Sequence, residues 1–297
     1  MKTVSGPLVA LCLGIVVLAL CACVVAFIPG FGGAPTPGSF VSIRGESVRL
    51  MGTGLYRLDS VSFATQAQAQ DLVTLAIGIP ALLLSCYFAL RGSLRSGLLL
   101  AGTLGYFAYT YATYAFGVQY NRLFLVYVAL LSMSVAALIL SLFRLSPDDI
   151  STRFTGRGVR RAAIGFDFFV GVMLLLMWIS RIGSGLLGGP DQTMIEHYTT
   201  LPIQVMDLAF VVPLALTAGY QLLRDRALGY LLTGLLLTKG LTLGLALGAM
   251  IVWMAVSGLP VNIGETLVFS AIILGGLTIS GLFLRAIRQE SLPYQKI

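Results

Sequence analysis

Eight apolar runs divide the chain, and each is bounded by glycine, proline or arginine clusters. They cover roughly 7–28, 71–90, 97–117, 123–143, 162–182, 203–222, 228–256 and 265–284. Each comes close to the ~20 apolar residues that a helix needs to cross a bilayer. The pattern predicts an all-α integral membrane protein of about eight transmembrane helices. Residues 29–70, the longest polar interval, separate the first two runs. They open with PGFGGAPTPGS, a glycine- and proline-rich stretch. SFVSIRGESVRLMGTGLYRL then alternates, which predicts a small β-hairpin turning at Gly45-Glu46 within an outer subdomain. Asp59 or Ser60 offers the N-cap of an outer helix that runs straight into the second span.

A second polar interval, RLSPDDISTRFTGRGVRR at 144–161, splits the chain into a first half, 1–143, and a second, 162–297. It reads as a solvated basic linker with a turn or N-cap signal at Ser146-Pro147-Asp148. Across this linker the sequence echoes itself. QAQDLVTLAIGIPALLLSCYFALRGSLRSGLLLAG, at 68–102, corresponds to QVMDLAFVVPLALTAGYQLLRDRALGYLLTG, at 204–234. Both begin Q-x-x-D-L and reach a proline, Pro80 or Pro213. Both place an arginine eleven residues later, Arg91 or Arg224, and then set two glycines five apart, Gly97/Gly102 and Gly229/Gly234. Membrane topology alone does not require that proline–arginine spacing. The reading is two parallel four-helix pseudo-repeats about an axis along the membrane normal, with Asp71 as the mate of Asp207.

Composition agrees with a membrane protein. Hydrophobic residues make up 57% of the chain and charged ones 10%, against about 25% charged in soluble domains. The net charge of +7 is a topology signal and does not point to nucleic acid. One set of turns carries Lys2, Arg91, Arg95, Arg144, Arg153, Arg157, Arg160, Arg161, Arg224, Arg226, Arg285, Arg288 and Lys296. The other set carries only Arg44, Arg49, Arg57, Arg122 and Arg181. The positive-inside rule then puts both termini in the cytoplasm, with membrane lipids as partners. The first run outlasts a signal-peptide core of about 7–15 residues and reads as a retained anchor.

Several chemistries lose their usual carriers. A single histidine, His197, excludes a haem held by paired axial histidines. Cys12, Cys21, Cys23 and Cys86 form no C-x-x-C and read as apolar fillers. No Walker loop, H-E-x-x-H or G-x-S-x-G occurs, so no cofactor, metal site or catalytic residue is assigned.

The expensive residues lie in the apolar runs. Lys239 sits about eleven residues into the seventh run, near mid-membrane, and needs an acceptor. Asp207 lies a turn into the sixth, and an ion pair of Lys239 with Asp207 or Asp167 is the structural expectation. Asp71 opens the second run and Glu265 the eighth, where each suits a helix N-terminus. Gln68 and Gln204 stand one turn above Asp71 and Asp207. In YFAYTYATYAFGVQYN, residues 106–121, Tyr114 and Tyr120 suit an aromatic belt at the interface. Tyr106 and Tyr109 lie too deep for a belt and are expected to face the interior. Asp71, Asp207, Lys239, Glu265, Gln68, Gln204, Tyr106 and Tyr109 are thus the candidates for ligand binding or ion coupling. Gly240, Gly244 and Gly248, four apart, predict close helix packing.

AQDLVTL, LRGSLRSGLLLAG, YAFGVQYNRLFLVYVALLS and GYLLTGLLLTKG together resemble a family of uncharacterised prokaryotic multi-pass membrane proteins. The resemblance covers most of the chain. It implies a bacterial or archaeal plasma membrane and carries over no activity. The residues favour a protein that binds or moves a small solute or ion through an outward-opening polar and aromatic cavity. One alternative is a non-transporting sensor, assembly factor or complex subunit with a protein partner at the outer loop. The other is a membrane enzyme acting on a lipid or quinone, with Glu265, Asp207 or His197 as acid or base.

Overall fold

The structure, a computed structural model, describes residues 6–187 and 195–289. Lys2 and Lys296, used in the charge pattern, lie outside them. The fold is mostly helical. Helix α1 spans Gly6–Ala26 and leads into a two-stranded antiparallel hairpin, β1 (Ser39–Val41) and β2 (Ser47–Arg49). The hairpin turns at Ile43-Arg44, two residues earlier than the expected Gly45-Glu46. The Gly45 amide donates to the Ser42 carbonyl at 2.9 Å, and Gly45 takes a φ of 83° at the end of the turn.

Ser60 then caps helix α2 (Val61–Val73) by accepting from the Phe63 amide at 3.2 Å. α2 runs without a break through a π-helical turn, Thr74–Gly78, into α3 (Ile79–Leu90). The outer helix and the second span are therefore one continuous rod. α4 (Leu94–Gly117) starts at the Ser93 cap, and α5 spans Phe124–Leu142. A short α6 (Pro147–Arg153), capped by Ser146, precedes α7 (Arg157–Leu186). α8 (Pro202–Met206) continues through a second π-helical turn, Asp207–Val211, into α9 (Val212–Leu223). α10 (Ala227–Val256) and α11 (Ile263–Ala286) complete the bundle.

Seven helical segments are long and apolar enough to cross a membrane: α1, α2–α3, α5, α7, α8–α9, α10 and α11. The chain is thus a polytopic membrane protein. α4 has 24 residues and falls outside that set, because tyrosine, threonine and glycine dilute its apolarity. It nonetheless runs the length of the bundle. Near its start, Arg95 donates to the Ile287 carbonyl just after α11, at 2.7 Å. Beyond its end, the Gln119 amide donates to Asp59, beside the hairpin, at 2.9 Å.

The arginine-rich end is knitted together. The Thr155 amide donates to the Ala286 carbonyl at 2.8 Å, and the Arg288 amide to the Arg153 carbonyl at 2.9 Å. Ile150 and Leu145 are buried in the core formed with Tyr230 and Phe283. The expected solvated linker is therefore a docked element, because α6 has an apolar face to bury.

The two π-turns stand in matching places. Each has five residues, starts six before a proline and continues into a 12-residue helix, α3 or α9. A three-residue turn with a left-handed residue follows, Gly92 (φ 81°) or Asp225 (φ 55°). Thr74 and Asp207, Pro80 and Pro213, Arg91 and Arg224, and Gly92 and Asp225 each stand 133 positions apart. At the same interval Asp71 stands before Gln204, whereas Asp71 and Asp207 are 136 positions apart.

A close helix crossing lies between α4 and α10. A Cβ on Gly102 would overlap the Thr238 side chain and sit 2.6 Å from the Lys239 backbone nitrogen. Gly244 meets Ile273 of α11 in ordinary contact, and Gly240 faces open space. The glycine stripe on α10 therefore partly lines a void, where close packing was expected.

Candidate functional site

The α4–α10 crossing at Gly102 brings Lys239 of α10 against α4. Its stem packs over Gly105, and its Nζ lies 4.2 Å from the centre of the Tyr109 ring, one turn further along α4. An ammonium over an aromatic face is attracted by the ring quadrupole. The Tyr109 hydroxyl points the other way and donates to Asp207 Oδ1 at 2.8 Å. Trp178 on α7 donates its indole N–H to Asp207 Oδ2 at 2.9 Å. Each carboxylate oxygen thus has a neutral donor. Asp207 and Lys239 make no contact ion pair, and neither do Asp167 and Lys239. The expected pair is replaced by a Tyr109 ring held between the two charges.

These residues form one wall of a cavity of about 360 Å³. Its volume lies within the ~300–1,000 Å³ of sites that take small organic molecules. Toward the end of the bundle that carries the hairpin, the wall includes Arg181 on α7 and Glu265 on α11, which form an ion pair at 2.7 Å. Asn262 caps α11 there, accepting from the Glu265 amide at 3.1 Å. Most of the remaining lining is apolar, including Phe166, Leu243, Met250 and Phe269. Of the eight sequence candidates, Tyr109, Gln204, Asp207, Lys239 and Glu265 line this cavity, and Gln68, Asp71 and Tyr106 do not.

Asp71 belongs to a separate, closed cluster. Tyr56 donates to its Oδ2 at 2.6 Å, and Tyr114 and Cys23 donate to Oδ1 at 3.0 and 3.6 Å. Tyr111 and Tyr127 stack beside them. Tyr114, expected at the membrane interface, is buried, because its hydroxyl serves Asp71 and the Ala67 carbonyl. Tyr120 is 78% exposed, as an interfacial residue is. Tyr106 is fully buried. It accepts from Gln70 at 2.6 Å and lies 2.8 Å from the Thr74 hydroxyl.

The hairpin subdomain is clamped to the segment that follows residue 194. Arg44 donates to the Glu196 and Tyr198 carbonyls, and the His197 ring bonds the Leu58 carbonyl at 2.8 Å. Tyr198 donates to Asp59 at 3.1 Å. Burial pushes the Asp59 carboxyl up to about 7, against the bonds from Gln119 and Tyr198 that favour its charged form. Glu196 and Tyr198 also line the cavity, so this clamp shapes its wall.

Sequence reasoning missed Trp178, Gln70 and the pairing of Arg181. An indole N–H inside an apolar run needs an acceptor, and that rule was the available signal for Trp178. Among the described residues no cluster of histidine, cysteine and acidic side chains could hold a metal ion. The fold and the cavity together define a polytopic helical membrane protein with an internal, partly polar chamber. No protein-family model matches the chain, and neither a curated protein nor a solved structure is significantly similar to it.

Proposed function

We propose that this protein binds a small solute, drawn from the outer side, in the cavity between α2, α4, α7, α10 and α11. On this reading all eight long segments span the membrane, α4 included, in two parallel halves with both termini cytoplasmic. The carrying observation is Lys239. It is an ammonium deep in the bundle, on the wall of a cavity, with no hydrogen bond or contact ion pair among the described residues. An intramembrane charge is costly unless it meets water, a partner or a ligand. The paired π-turns support transport as well as binding, since such turns are frequent at functional sites and recur here in both halves.

Gly240→Cys tests the access route, because nothing lies within 4 Å of the Cβ it would add. A charged, membrane-impermeant thiol reagent applied from outside should modify this variant in a Cys21→Ser background in sealed cells and leave the Cys21→Ser parent unmodified, since Cys21 is the exposed free cysteine among the described residues. A folded variant that resists the reagent from outside, or reacts only from the cytoplasmic side, would sink the outward-opening reading. A second reading is a complex subunit, favoured by Val41 and Ile43, which are exposed at the tip of the outer hairpin.

A further inference from the structure

Resting on that cavity, the chemistry of its walls narrows the ligand class. Of the two cations that line it, Arg181 is already paired with Glu265 at 2.7 Å. Lys239 carries three N–H donors and meets only the face of Tyr109. Asp207 is close enough to interact electrostatically with Lys239, yet its oxygens are engaged by Tyr109 and Trp178. An oxygen acceptor entering the cavity would meet the Lys239 donors. The Asp207 charge nearby works against a dianion such as a phosphate monoester, since like charges at short range in a low dielectric repel strongly. The rest of the chamber is built of Phe166, Leu174, Leu243, Leu247, Met250 and Phe269, which suit an apolar body.

We infer that the cavity holds an amphipathic monocarboxylate, with its acid group on the Lys239 ammonium and its apolar part against α7, α10 and α11. The polar end sits deepest, and the apolar part extends toward the Arg181–Glu265 pair.

Trp178 provides the readout. The chain has two tryptophans, and Trp253→Phe leaves Trp178 alone on the cavity wall. Bromine quenches indole fluorescence only at short range. The Trp253→Phe protein in nanodiscs would be titrated with 8-bromooctanoate, with its methyl ester and with 8-bromooctanol. The expected result is saturable quenching by the carboxylate and linear, unsaturable quenching by the two neutral probes as they partition into lipid. Adding Lys239→Met should weaken carboxylate binding roughly 10- to 100-fold, the loss of one charge-assisted hydrogen bond. Saturation by the neutral probes with equal strength would overturn the acid anchor and leave the cavity reading standing. Saturation by the carboxylate that is undiminished in a folded Lys239→Met protein would overturn it too. Failure of all three probes to saturate would also overturn it, while Gly240→Cys modification judges the cavity independently.

Discussion

Replacing Gly102 with alanine should push α4 and α10 apart and carry Lys239 with them. The added methyl would overlap the Thr238 side chain and approach the Lys239 backbone nitrogen to 2.6 Å. No rotamer change relieves a clash with backbone, so one helix must move. The Thr238 hydroxyl, which shares its proton between the Gly234 carbonyl at 2.7 Å and the Leu98 carbonyl across the same gap at 3.0 Å, would lose the second contact. Overpacking a dense interior costs about 1–3 kcal/mol, and an interhelical hydrogen bond in a membrane adds about 0.6 kcal/mol. The better helix propensity of alanine returns at most about 1 kcal/mol. The net cost is about 2 kcal/mol, or roughly 4–8 °C of melting temperature if the chain scales like domains of 150–250 residues. Gly240→Ala is the matched control, since its methyl meets nothing within 4 Å and should change stability by no more than about 1 kcal/mol. Both variants would be melted in nanodiscs and followed by tryptophan fluorescence. Wild-type stability in Gly102→Ala, or an equal loss in Gly240→Ala, would refute the close approach at Gly102.

Two further outcomes follow from the buried acids. Asp59 has a folded value of about 7 against an ordinary 3.8, so its contribution to stability is full below about pH 4 and is lost as pH rises through 7. At 1.36 kcal/mol per pH unit the loss is on the order of 4 kcal/mol. Asp59→Asn should flatten that slope in melts from pH 4 to 8, and an unchanged slope would contradict the assignment. Asp71→Ala leaves the Tyr56 hydroxyl short of an acceptor, while Tyr114 keeps the Ala67 carbonyl at 2.8 Å. One orphaned group should cost about 1–3 kcal/mol. Carboxylate quenching should survive in the protein that still folds, and loss of binding at intact stability would place Asp71 in the site.

The helical bundle was legible because apolar runs of membrane length have few alternative uses. Ser60, Ser146 and the hairpin were legible because capping and turn chemistry act over three or four residues. The roles of the tyrosines were harder to read. Tyr109, Tyr111 and Tyr114 occupy one stretch of α4, yet they serve the cavity wall, a stacked cluster and the Asp71 carboxylate respectively. Helical spacing gives each a direction but does not say which helix lies there. The α6 linker was misread for a related reason. Its charges are plain in the sequence, whereas the pocket for Ile150 is made by α10 and α11, far away along the chain.

The duplication we propose, if taken in the register of the prolines and π-turns, gives the site its asymmetry. Thr74 and Tyr106 in the first half occupy the positions of Asp207 and Lys239 in the second, 133 residues on. In the first half the two side chains are neutral and lie 2.8 Å apart, with Gln70 donating to the same phenol. A hydrogen-bonded neutral pair can seal a helix junction because it needs no solvent. In the second half the two positions carry opposite charges that do not touch, and Tyr109 stands between them. Closing that junction dry would demand full desolvation of both charges, a cost that direct pairing repays only with excellent geometry. The bundle stays open at the charged junction and closed at the neutral one. On that reading the cavity lies at the charged junction, with Lys239 in its wall.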